Sequence, residues 1–132
     1  MKLFLLDAGG AGLVYAALII FIVIAITTEA ITMLLMKYNK AGKAFLDSFL
    51  ANIASLAAGF ILSSVAGRIF YITDSTILNW LILYSLTVAV EFLILYLLNR
   101  TYPRNKTLLT SAVMNIVSYL ILYLFFVEGI NL

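Results

Sequence analysis

Four long apolar runs alternate with short polar breaks along this chain. Residues 13–36 open L-V-Y-A-A-L-I-I-F-I-V-I-A-I and turn polar only at Thr27, Thr28, Glu29 and Thr32. Residues 44–70, 77–98 and 107–127 repeat the theme. An α-helix of about 20 apolar residues rises about 30 Å, the depth of a bilayer's hydrocarbon core. The pattern therefore predicts an all-α integral membrane bundle of four spans. Gly9, Gly10 and Gly12 predict a flexible approach to the first span. Asp7 and the glycines also interrupt the N-terminal stretch, which reads as retained rather than as a signal peptide. Asp74 or Ser75 suits the N-cap of the third helix, with Arg68 and Tyr71 at the outer boundary before it. Pro103 sits where the third helix should stop.

The polar positions repeat. E-A-I-T-M-L-L-M-K-Y from Glu29 and E-F-L-I-L-Y-L-L-N-R from Glu91 are each followed by a basic loop and a second span. The two glutamates are 62 positions apart (91 − 29), whereas Lys43/Lys106, Ser48/Ser111, Asn52/Asn115 and Ser55/Ser118 pair at 63. One inserted residue in the second loop accounts for the difference. Five of the ten positions 46–55 are identical to those at 109–118, and they include the asparagine and both serines. The reading is a duplicated helical hairpin, with repeat 1 at about 13–70 and repeat 2 at about 76–127. Each repeat holds two spans, so both copies enter the membrane in the same sense. That predicts a parallel pseudo-twofold axis along the membrane normal.

Composition agrees with a single transmembrane domain over residues 1–132: hydrophobic residues are 65% and charged residues 11%, with mean hydropathy +1.16. There is no cysteine and no histidine. That removes disulfides, thiol and imidazole catalysis and the usual zinc and haem ligands, so no metal set, cofactor or enzyme activity is expected. Six of the eight Lys+Arg fall in the two hairpin loops: Lys37, Lys40, Lys43, Arg100, Arg104 and Lys106. Cytoplasmic loops carry such an excess, which puts both loops in the cytoplasm and both termini outside. The same residues suit anionic lipid headgroups. The net charge of +2 reports topology and not nucleic-acid affinity. Helical spans point to a bacterial inner membrane.

The candidate chemistry lies inside the membrane. Glu29 is about seven residues from the end of its span and Asn52 about eight from the start of the next, so both lie about 10 Å deep. Glu91 and Asn115 repeat that placement, with Ser55, Ser118, Thr28 and Thr32 at neighbouring levels. A carboxylate in hydrocarbon costs about 2.5–3.5 kcal/mol on insertion scales, so both acids must face the bundle interior, a wet cavity or a partner. Ser48, Asn52, Ser55 and Gly59 share one helix face, which suits close approach of a neighbouring helix. Asp47 reads as a charge suited to a helix N-terminus; its counterpart is Thr110, so it stands outside the repeated set.

The chain's size, its four spans and the acid in its first span resemble the small multidrug-resistance transporters. Those carry no copy of that acid in the third span, so Glu91 departs from the pattern and no function follows from it. Two functional classes remain. One is a non-catalytic subunit or assembly factor of a larger membrane complex or homo-oligomer, with a structural Glu/Asn layer. The alternative is a small proton- or cation-coupled transporter or ion-conducting unit using Glu29 and Glu91. The absence of glycine- or proline-broken spans leans the reading toward the first.

Overall fold

The computed structural model describes residues 2–65 and 76–128. They form four helices: α1 (Lys2–Leu35), α2 (Ala41–Val65), α3 (Thr76–Leu98) and α4 (Arg104–Glu128). Each contains a stretch long and apolar enough to cross a membrane: Tyr15–Leu35, Ala41–Leu62, Ile77–Leu98 and Arg104–Leu124. Helices α1 and α3 each pack against both α2 and α4. The pairs α1/α3 and α2/α4 make no contact among the described residues, so they stand on the diagonals of a square bundle.

The bundle is polar inside and apolar outside. Among the described residues, nine buried side chains are apolar and thirteen are polar or charged, the reverse of a water-soluble core. Large apolar side chains such as Leu35, Phe60, Ile61, Val65 and Ile77 face outward. Lipid is as apolar as leucine, so burying leucine between these helices gains little, and packing and internal hydrogen bonds must join them instead. Small residues permit the contact: Ala25, Ala30, Ala44 and Ala51 are all buried.

One end of the bundle is closed by its two loops. Helix α1 ends in a paired cap: Lys37 N–H donates to Leu34 C=O (3.0 Å) and Tyr38 N–H to Met33 C=O (2.8 Å). Lys37 takes a left-handed φ of 51° to allow it, and Met33 and Tyr38 are packed in the same core cluster, as this cap geometry favours. Tyr38 then reaches the other hairpin, where its hydroxyl donates to Thr107 Oγ1 (3.1 Å) and its ring lies 4.8 Å from that of Tyr102. Lys106 covers Tyr102 (4.8 Å) and donates to Lys37 C=O (3.3 Å).

Several expectations are corrected. Gly9, Gly10 and Gly12 lie inside α1 rather than in a flexible approach to it. Glycine in a helix costs about 1 kcal/mol, less than leaving backbone groups unpaired in an apolar setting. No atom comes within 4 Å of a Cβ built on Gly59, so Gly59 is not a point of close helix approach. Pro103 starts α4 rather than stopping α3: its C=O accepts from Thr107 N–H (3.1 Å), while α3 has already ended at Leu98. Helices α2 and α4 begin three residues earlier than expected, which draws Lys43, Arg104 and Lys106 into their first turns. Arg68, Tyr71 and the cap at Asp74 or Ser75 lie outside the described residues.

Two outcomes follow from the closed end. Lys37→Gly should stabilise the protein by about 1 kcal/mol relative to Lys37→Ala, because only glycine accepts the left-handed φ without cost; denaturant titration of detergent-solubilised protein measures it. Burial, with Asp47 and Tyr102 adding to it, pushes the Tyr38 phenol above its ordinary value. Its contribution to stability should be complete below about pH 10 and lost as pH rises through the folded value. Ultraviolet titration of Tyr38→Phe should lose one phenol that ionises above about pH 10.

Candidate functional site

The two glutamates lie inside the bundle, Glu29 at 1% exposure and Glu91 at 0%. Glu29 lies on α1 two turns before its end and Glu91 at the matching point of α3. On α2, Ser48 Oγ donates to Glu29 Oε2 (2.9 Å) and also lies 3.1 Å from Ile26 C=O. Asn52 Nδ2 donates to the same Oε2 and to Ser48 C=O (3.0 Å). On α4, Ser111 Oγ donates to Val88 C=O (2.9 Å), and Asn115 Nδ2 donates to Glu91 Oε2 (2.5 Å) and to Ser111 C=O (2.9 Å). Each amide is thus fixed by its own helix and aimed at the acid of its hairpin partner.

A further contact joins the hairpins. Ser55 Oγ on α2 donates to Glu91 Oε1 on α3 (3.2 Å). Ser55 and Ser118 also touch the C=O groups of Asn52 (3.1 Å) and Asn115 (3.2 Å) on their own helices. Asn52 and Ser55 thus link Glu29 to Glu91 by way of α2. The six candidate residues Glu29, Asn52, Ser55, Glu91, Asn115 and Ser118 therefore meet in one layer. Of the expected neighbours, Thr32 is buried but its hydroxyl donates to Thr28 C=O (2.8 Å) and not to the acids.

Two features decide what the layer can do. First, no lysine or arginine pairs with either glutamate: the one ion pair among the described residues is Lys43–Asp47, at 3.1 Å. Second, Asn115 Oδ1 is buried without a hydrogen-bond partner. The layer holds two acids, surplus oxygen acceptors and only neutral donors.

A second cluster escaped the sequence reading. Asp47 is 1% exposed and accepts from Asn39 Nδ2 (2.6 Å), Asn99 Nδ2 (2.7 Å) and Lys43 Nζ (3.1 Å). Asn39 also donates to Asn99 Oδ1 (3.2 Å). This network ties the first loop and α2 to the end of α3, between the basic loops and the glutamates. The only available signal was a lone acid one residue before Ser48, and the missing counterpart at Thr110 made it look incidental. Of the basic residues, Lys37, Lys40, Lys43, Arg100 and Arg104 are exposed at the loop end. Arg104 lies over the Tyr96 ring at 5.5 Å.

A double-mutant cycle over Glu29→Gln and Asn52→Ala should show a coupling of about 0.6–1.7 kcal/mol, the range for polar contacts between membrane helices. Asn52→Ala alone should cost about 1.5–3 kcal/mol, because it takes a donor from a buried acid. Unfolding of all four species in mixed micelles measures both; additive effects would show that the pair does not interact. Compared with known protein families, curated proteins and solved structures, the chain shows no match.

Proposed function

We propose that this protein is a small membrane transport or ion-conducting unit in which Glu29 and Glu91 take up a proton or a cation. Asn52, Asn115, Ser55 and Ser118 orient the two acids. The observation that carries this reading is the burial of two acids, linked through Asn52 and Ser55, with no basic partner. Hydrogen-bonded glue between helices needs no net charge, since paired amides or hydroxyls would serve. Two acids at about 2.5–3.5 kcal/mol each on insertion scales are costly as glue and fitting as a site whose occupant comes and goes.

The reading includes a duplicated hairpin with a parallel axis along the membrane normal. The paired contacts support it: Ser48 to Ile26 C=O and Ser111 to Val88 C=O, Asn52 to Glu29 and Asn115 to Glu91. Both basic loops would lie in the cytoplasm by the positive-inside rule, with both termini outside and a bacterial inner membrane as the setting. The exposed Lys37, Lys40, Arg100 and Arg104 would then meet anionic headgroups.

A second reading keeps the protein as a non-catalytic subunit or assembly factor. One observation favours it: an apolar groove of about 510 Å³ on the α3/α4 side, lined by Trp80, Tyr84, Ile116, Tyr119, Leu120 and Tyr123. A neighbouring membrane helix would fill such a groove.

Reconstituted vesicles separate the two. The transport reading expects cation or proton flux in vesicles holding purified protein, abolished by Glu29→Gln and by Glu91→Gln while helicity and monodispersity persist. Absence of flux for protons and alkali cations, together with co-purification of a stoichiometric membrane partner, would overturn it in favour of the subunit.

A further inference from the structure

We infer that the layer between the four helices is a binding site for one small, dehydrated monovalent cation of the sodium class, with Asn115 Oδ1 as a ligand beside the carboxylates of Glu29 and Glu91. This rests on the uptake of positive charge proposed above and names its occupant.

Asn115 is fully buried, and its Nδ2 is committed to Glu91 Oε2 and Ser111 C=O. Those two bonds fix the amide, so its orphaned Oδ1 cannot be exchanged for the nitrogen without losing both. A buried carbonyl-type oxygen left without a donor keeps its full desolvation cost. A proton on either carboxyl supplies a single O–H, which only one acceptor can take. A cation can be shared by both acids and the amide oxygen at once.

The chemistry of the ligands selects the ion. All are oxygens, the choice of hard cations rather than of copper or zinc. Calcium takes 6–8 oxygens, and magnesium keeps several of its waters in near-ideal octahedra. The layer fits neither: Glu29 Oε2 already accepts from Ser48 and Asn52, and Glu91 accepts at both oxygens. Its side chains Glu29, Asn52, Glu91, Asn115 and Ser118 are 0–9% exposed, so an ion entering must shed most of its water. A small monovalent cation is the hard-cation class that remains. The two asparagines then play different parts. Asn52 positions Glu29 by donating to it, while Asn115 donates to Glu91 and also offers its oxygen.

The test uses purified full-length protein in detergent. Sodium-22 binding is measured at constant ionic strength with choline chloride as the balancing salt, and thermal unfolding is followed in parallel. Saturable sodium binding that raises the unfolding temperature over choline is expected. Glu91→Gln and Asn115→Ala should each weaken binding by about 10-fold or more. Exchanging the pair, Glu91→Gln with Asn115→Asp, keeps two carboxylates in the layer and leaves an oxygen at 115, so it should recover the sodium binding lost in Glu91→Gln. If the oxygen at 115 lay away from the ion, the exchanged protein would bind no better than Glu91→Gln, and the assignment of Oδ1 as ligand would fall. Should Asn115→Ala fail to fold, the comparison of the exchanged protein with Glu91→Gln and wild type decides. Proton flux in vesicles with no sodium binding would overturn this inference and leave the proposed function standing. Neither binding nor flux would overturn both.

Discussion

Inside hydrocarbon, no water is at hand to satisfy a polar group, so every buried donor and acceptor must find its partner within the protein. That constraint shapes this bundle more than apolar packing does. Its outer surface is leucine, isoleucine and phenylalanine, and its interior is glutamate, asparagine, serine and threonine. Backbone groups are paired within the helices. The polar side chains are paired across them, from α2 to α1 and α3 and from α4 to α3. The four helices are thus held in a square by bonds that meet at one level.

The same constraint separates two polar clusters that look alike in composition. Asp47 has two amides and a lysine around it. Its charge is balanced, and the network works as a latch between the first loop, α2 and α3. Glu29 and Glu91 have only neutral donors, and one amide oxygen beside them has none. The latch lies between the loops and the glutamates.

The spans and the acid–amide pairs were legible because both rest on local spacing. Twenty apolar residues make a span in any membrane helix, at about 1.5 Å of rise each, and equal distances from a shared turn bring Glu29 to the level of Asn52. What escaped was non-local or conformational. The Asp47–Asn99 and Asn39–Asn99 bonds join residues 52 and 60 positions apart, across hairpins, where no periodicity reports. Ser55 was placed at the right depth, but its role in crossing to Glu91 required the neighbour relation of α2 and α3. The left-handed Lys37 and the helical Gly9 and Gly10 go against residue preference. In each case backbone hydrogen bonding outweighs a cost of about 1 kcal/mol.

Whatever the layer binds, Glu29 and Glu91 must share one buried environment. Carbon-13 carboxyl resonances of glutamate-labelled protein in bilayers read that sharing without any assay of transport. Glu91→Gln is expected to move the Glu29 carboxyl signal. A Glu29 signal indifferent to that substitution would mean that the two acids do not meet, and the shared site would be refuted.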